Sequence, residues 1–367
     1  MPDANPEAPR TAGSREFGNR RRIRPAAKLD FRADFVDSAP NFPGSDRIAP
    51  AAPLLARLPP AHMLVFSTCW NSHRHTEGKH MVSELRLLGF DCAEISHGTS
   101  VALFPGILTP VDRGKFSVAG VHNYCPSPVE ITIDAPDCYE ITSHRDDERR
   151  RAISLTKRSI DTAVRFGGRY VVMHLGRTPI RGRTRRLEER VSKGELNSRA
   201  FVRDKLAFIQ ARESASALAM ERIRTALREL IPYAAENGVQ LALESRSHFE
   251  QAPSEREMLA LLEEFESPWV GYWHDFGHVQ RKANLGLLDH AEWLESVRHR
   301  LIGCHLHDVN WPADDHEVPF RGTIDFDRLV PLLPKSLPIV WEMNPRRRSA
   351  HIKESLVQWR EKYGEFN

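Results

Sequence analysis

Eight short apolar runs recur between Met63 and Glu342, and most are separated by longer stretches with helical periodicity. The runs are Met63–Ser67, Cys92–Ser96, Val118–His122, Tyr170–His174, Val239–Glu244, Trp269–His274, Leu301–His305 and Pro338–Glu342. Between them lie amphipathic segments such as Arg149–Phe166, Ala217–Asn237, Glu255–Phe265 and Asp327–Leu333. Continuous apolar strands alternating with helices predict a parallel sheet buried on both faces. Eight such units predict an α/β fold, a (β/α)8 barrel, over residues 61–367. A doubly wound open sheet would carry a glycine-rich turn after its first strand. Cys69-Trp70-Asn71-Ser72-His73 is not such a turn.

Composition narrows the class. With 41% apolar and 28% charged residues the chain reads as a soluble globular protein, and no apolar run reaches the roughly 18 residues of a membrane span. A formal charge of +3 is too small to argue for nucleic acid or a membrane surface. The five cysteines, Cys69, Cys92, Cys125, Cys138 and Cys304, include no C-x-x-C pair. They predict free thiols in a reducing cytoplasm, with Cys304 a small core residue. Residues 1–60 hold 10 of the 25 prolines and the cluster Arg20-Arg21-Arg22-Ile23-Arg24, which predicts a mostly disordered extension. The basic segment Arg177–Ala200 follows the fourth strand, on the face where such a barrel keeps its chemistry. It is expected to act as a lid or contact loop, or else to be a solvated insertion.

The strand ends carry the functional signal. From the third run onward they offer His122, His174, Glu244, Asp275 with His278, His305 with His307, and Glu342. One polar residue at a strand end is ordinary; six successive strands ending this way are not, because buried charge is costly unless paired or metal-bound. In Cys304-His305-Leu306-His307-Asp308, the period of two puts both imidazoles on one face of a strand. A set of carboxylates and imidazoles without thiolate suits divalent Mn, Mg, Co or Zn with open coordination positions. Trp70, Trp273 and Trp341 flank this region, as sugar-stacking surfaces or as core. Arg346-Arg347-Arg348 follows the last strand, as a phosphate-binding turn or a solvated one.

These motifs, in this order, resemble the xylose isomerase-like barrel superfamily of sugar (phosphate) isomerases, epimerases and endonuclease IV-type enzymes. The shared pattern is Glu244, then Asp275-Phe276-Gly277-His278, then His305-Leu306-His307-Asp308, then Gly322-Thr323-Ile324-Asp325-Phe326, then Glu342. The resemblance implies one metal held by Glu244, Asp275, His305 and Glu342, with His307 a neighbour of the site. It also implies substrate contacts from His122, His174, His278 and Glu250. Trp311 stands where the free-ketose epimerases carry an arginine, a departure from their pattern.

The expected activity is a metal-dependent sugar or sugar phosphate isomerase or epimerase, with Glu244 and Glu342 as the proton-transferring pair. The alternatives are an endonuclease IV-like phosphodiesterase acting on abasic DNA, with His122, His174, His278, Asp314 and His316 as extra metal ligands, and a polyol dehydratase on the same barrel. The expected partner is a small carbohydrate rather than nucleic acid or membrane, with homo-oligomerisation left open.

Overall fold

The computed structural model describes residues 64–131, 136–334 and 336–364. The predicted extension over residues 1–60 lies outside them. Eight parallel strands close into a barrel: β1 (Leu64–Ser67), β2 (Cys92–Ile95), β3 (Ser117–His122), β4 (Tyr170–Met173), β5 (Gln240–Glu244), β6 (Val270–Asp275), β7 (Leu301–Leu306) and β10 (Ile339–Trp341). Each strand pairs with its neighbours in chain order, and β10 closes the ring against β1 through Val65↔Val340. The short strands β8 (Asp308–Asn310) and β9 (Asp314–Glu317) form an antiparallel hairpin between β7 and β10. All eight predicted strands are present, with ends shifted by a residue or two.

Alternation along the strands divides the core in two. One set of side chains packs outward under the helices: Phe66, Val121, Leu241, Leu243, Tyr272, Leu306 and Trp341 belong to this large cluster. The other set fills the barrel: Val65, Cys92, Ala119, Tyr170, Val172, Ala242, Trp273 and Val340. The ring centroids of Tyr170 and Trp273 lie 4.5 Å apart inside the barrel. There is room for Trp273 because residue 303 is glycine; a Cβ there would overlap the indole ring. This aromatic plug closes the barrel beneath the strand ends, so polar groups above it look out of one mouth only.

The helices follow the predicted segments closely. Asp146–Phe166, Ala217–Glu236 and Glu255–Glu264 are helical, the last opened by a capping box between Ser254 and Glu257. The segment expected over Asp327–Leu333 is shorter: helix Phe326–Leu329 passes into a 3-10 turn, Val330–Leu332. Pro331 has no N–H to continue the α ladder. The insertion after β4 is ordered and longer than expected. It forms two helices, Arg183–Ser192 and Arg199–Ser214, whose Leu187, Val191, Phe201 and Phe208 pack with Leu285 as a small separate core. No helix among the described residues is long and apolar enough to cross a membrane.

Candidate metal centre

Parallel strands deliver their C-terminal ends to the same mouth, and the inward positions there are polar. Glu94, His122, Glu244, Asp275, His305 and Glu342 all sit there, buried. Potential ligand atoms of Glu244, Asp275, His305 and Glu342 fall within 4.8 Å of one another. From His305 Nδ1 the nearest carboxylate oxygens are Glu244 Oε1 at 2.8 Å, Glu342 Oε2 at 3.4 Å and Asp275 Oδ2 at 3.7 Å.

The tautomers argue for a cation. His305 Nε2 lies 3.0 Å from Glu94 Oε1, so a proton on that nitrogen leaves Nδ1 as a lone pair facing Glu244. The same holds twice more. His122 Nδ1 meets the Asn123 carbonyl at 2.9 Å and His174 Nδ1 meets Asp137 at 2.9 Å. Both present Nε2 to Glu244 Oε2, at 3.3 and 2.7 Å. An imidazole lone pair against a carboxylate oxygen is repulsive unless a proton or a metal ion lies between them. An imidazole whose other nitrogen is held by a carboxylate or carbonyl is the usual arrangement of a metal-ligating histidine. The donor set therefore fits a divalent ion.

Protonation in the metal-free state follows the same charges. Burial disfavours the His305 imidazolium, but Glu342, Glu94 and Glu244 outweigh it and carry its pKa well above the ordinary value. Burial likewise opposes ionisation of Glu244, yet His305 and His122 hold its carboxyl well below the usual range. His278 and His307 do the same for Asp275. His307 donates from Nε2 to Asp275, 3.0 Å away, and accepts the His316 backbone N–H on Nδ1 at 2.8 Å. Asp275 pulls the His307 pKa up to about 9 against burial; the N–H aimed at Nδ1 favours the neutral tautomer.

Two further groups flank this set. His122, His174 and Glu244 form one, and His278, Asp315 and His316 the other. The β8–β9 hairpin contributes Asp315 and His316 to the second, and His278 comes from the helix Phe276–Asn284 that follows β6. His316 takes a left-handed backbone, φ 52°, and its ring stacks on His307 at 4.1 Å between centroids. Non-glycine residues in that region cost on the order of 1 kcal/mol and collect at functional sites.

Some expected residues have other partners. Glu250 has one carboxylate oxygen engaged: it accepts from the Thr184 backbone N–H at 3.2 Å and from the Thr184 hydroxyl, anchoring the first inserted helix. Asp314 faces Asn310 and Arg347, and its neighbour Asp315 joins the histidines instead, held by Arg281 at 2.7 Å. Trp70 and Trp341 are buried in the outer core. Trp273 lies beneath His305, ring centroids 5.2 Å apart. Arg347 ties the hairpin to the last strand through Asp314 and Glu317, while Arg346 and Arg348 are not buried.

Other residues of the site were not expected. Glu94 is the lone acid in the apolar run Cys92–Ser96, a signal that was readable. Asp137 sits in a long aperiodic loop and left no signal. Two motif residues turn out to be scaffolding. Asp308 accepts the N–H groups of Val309, Gly322 and Ile324 at 2.8, 2.8 and 3.0 Å. Gly277 leaves space for the His307 ring, which a Cβ would overlap.

A closed eight-stranded barrel with carboxylates and imidazoles at its C-terminal mouth is the class that fold and site define. The chain belongs to the xylose isomerase-like TIM barrel family, whose model matches residues 82–362. A curated relative, uncharacterized protein y4fM of Sinorhizobium fredii (strain NBRC 101917 / NGR234), is 27% identical over 193 residues, 51% of this chain and 50% of that protein. The matched region thus spans about half the length of that relative. Among solved structures, a D-tagatose 3-epimerase-like protein is similar with TM-score 0.59 and 18% identity, over 82% of this chain and 98% of that one. The apo 3-keto-D-glucoside 4-epimerase YcjR of E. coli gives 0.55 and 14%, over 83% and 100%. The IOLI protein with a binding zinc atom gives 0.56 and 14%, over 81% and 95%. At these identities the likeness is one of fold.

Proposed function

We propose that the protein is a metal-dependent isomerase or epimerase of a sugar or sugar phosphate. The observation that carries this is the convergence of Glu244 from β5 and Glu342 after β10 on one imidazole nitrogen, at 2.8 and 3.4 Å. The solved epimerases of like fold support the same class. Glu244, Asp275, His305 and Glu342 would hold a divalent ion, which supplies Lewis-acid polarisation of a carbonyl and its neighbouring hydroxyl. The chain's own part is proton transfer: one carboxylate takes the acidified C–H proton and an acid returns it to the same or the adjacent carbon. Asp275 and His307 hold the set in register, and the Tyr170–Trp273 plug keeps water from entering below.

The test is solvent deuterium exchange into a ketose or ketose phosphate by metal-replete protein. Exchange that chelator abolishes is expected; none across a broad ketose panel would refute the proposal.

One observation favours a second reading. The flanking groups His122–His174–Glu244 and His278–Asp315–His316 are more than a single ion needs, and they suit a multi-metal phosphodiesterase. About one equivalent of Mn, Co or Mg per chain supports the sugar reading. Near three equivalents of Zn, with chelator-sensitive nicking of abasic-site DNA, would replace it.

A further inference from the structure

Arg212 and Arg246 are buried and Arg281 is nearly so, and two of the three are fully paired. Arg212 reaches both oxygens of Glu257 and the carbonyls of Phe249 and Gln251. Arg281 engages Glu188 and Asp315 with all three nitrogens. Arg246 differs. It is only 3% exposed, yet it gives one hydrogen bond, from Nη2 to Asp137 Oδ2 at 2.7 Å. Its Nε and Nη1 are buried without a partner among the described residues. Asp137 does not satisfy them; its other oxygen faces His174 Nδ1 at 2.9 Å. A guanidinium does not shed its charge, and buried N–H groups without an acceptor are costly. Two such donors on one side chain mark a place that an acceptor from outside the chain completes.

The location is informative. Arg246 lies two residues beyond Glu244, where β5 opens into the mouth. A continuous path of contacts, Arg246–Asp137–His174–Glu244, joins it to the candidate metal centre at 2.7, 2.9 and 2.7 Å. The centre itself is rich in carboxylate: Glu94, Glu244, Asp275 and Glu342 would repel an anionic substrate unless a cation offset them. On the nearby insertion Arg181, Arg183 and Arg186 are exposed and form no ion pair among the described residues, adding positive charge outside the mouth.

We propose that Arg246 binds an oxyanionic substituent of the substrate, a carboxylate or a phosphate, at the opposite end from the carbon that exchanges its proton. The substrate is then an acid sugar or a sugar phosphate rather than a neutral sugar; this rests on the sugar reading above. Arg246 fixes the distant end of the molecule while Glu244 and Glu342 face the reacting end, so its contribution is to orientation. Asp137, shared between Arg246 and His174, keeps the two ends in a fixed relation.

Calorimetric titration of the metal-replete protein tests this without requiring turnover. The probes are D-fructose, D-fructose 6-phosphate, D-glucuronate and inorganic phosphate, each against wild type, Arg246→Gln and Arg246→Lys. At least one charged sugar should bind about 10–100-fold more tightly than D-fructose, the range of one or two charge-assisted hydrogen bonds. Which charged sugar gains the preference separates phosphate from carboxylate. Arg246→Gln should erase it at unchanged metal content per chain, and Arg246→Lys should retain part. Equal affinities for charged and neutral sugars in wild type would overturn the proposal. So would a preference that survives Arg246→Gln, since the metal or the outer arginines would then be its source. Should Arg246→Gln fail to fold, an undiminished preference in Arg246→Lys overturns it and a several-fold loss supports it. Inorganic phosphate separates the two claims: if it binds wild type but not Arg246→Gln while no sugar binds either, the anion site stands and the sugar reading falls.

Discussion

His305 and His307 share a face of β7 but not a role, and side-by-side alanine variants should separate them. His305 Nδ1 is the one nitrogen among the four central ligand groups, within 2.8–3.7 Å of three carboxylates, and its Nε2 is anchored by Glu94. Removing it leaves an oxygen-only set. Metal affinity should fall by more than the ~10–100-fold that loss of a merely supporting residue costs. The metal-free variant also strands Glu94 and deprives Glu244, Asp275 and Glu342 of one imidazole partner each, and breaking a buried pair of this kind costs about 3–5 kcal/mol. At this chain length a kcal/mol is worth about 2 °C, so the apo midpoint should drop on the order of 5–10 °C. His307→Ala removes contacts to Asp275 and to the His316 N–H. It should keep the metal and lose about 10–100-fold in activity. Metal analysis after gel filtration, paired with thermal melts with and without chelator, reads both quantities. If His307→Ala loses the metal while His305→Ala retains it, the assignment of β7 is wrong. If both lose stability at unchanged metal content, the two rings serve packing alone.

Other perturbations probe separate parts of the structure. Glu94→Gln should cost about 10–100-fold in metal affinity by freeing the His305 tautomer, read by competition with a chelating indicator; an unchanged affinity would remove Glu94 from the site. Gly277→Ala places a Cβ against the His307 ring and should destabilise by about 1–3 kcal/mol, with wild-type melting as the contrary result. Buried Arg212 and half-buried Glu257, outside the candidate metal centre, give a pH prediction. Burial opposes ionisation of Glu257, but the Arg212 pair lowers its pKa below the ordinary 4.5. The pair's stabilisation is therefore present above that value and lost as pH falls through the folded-state pKa. Glu257→Gln should cost about 3–5 kcal/mol at neutral pH by stranding Arg212, and its deficit against wild type in urea should shrink below about pH 4.5.

The barrel was legible because its signals are local and repeated: eight apolar runs, each long enough to be a buried strand. The inward ligands were legible for the same reason, since a charged residue ending an apolar run is conspicuous. What escaped depended on distance in the chain. Asp137 meets His174 across 37 residues and Arg246 across 109, and nothing in its loop marks it. Asp315 was passed over for Asp314 because spacing alone cannot say which way a hairpin turns; the left-handed His316 decides it. Glu250 kept the expected spacing from Glu244, and the two-helix insertion adds a contact that spacing could not foresee, from Thr184 to one of its carboxylate oxygens. A chain that lengthens one loop can thus give a new partner to a residue whose local motif is intact.

Glu244 and Glu342 are not equivalent partners in proton transfer. Glu244 is surrounded: His305 contacts one oxygen and His122 and His174 the other, so both of its acceptor edges are committed before a substrate arrives. Among the described residues Glu342 meets only His305 at 3.4 Å and His316 at 3.7 Å, through one oxygen, and it is the more exposed of the two. A base must present a free oxygen to the C–H bond it attacks, which assigns the first proton abstraction to Glu342. The crowding of Glu244 by three imidazoles instead suits a shared ligand, the role it would also play in a multi-metal site. The two variants should then differ in kind. Glu342→Gln should retain the metal and lose deuterium exchange by a factor on the order of 10²–10⁴, the usual share of general acid–base catalysis. Glu244→Gln should lose the metal first, with exchange falling as a consequence. If Glu342→Gln exchanges normally while holding its metal, the proton passes through Glu244 or another group, and the asymmetry between the two carboxylates does not govern the chemistry.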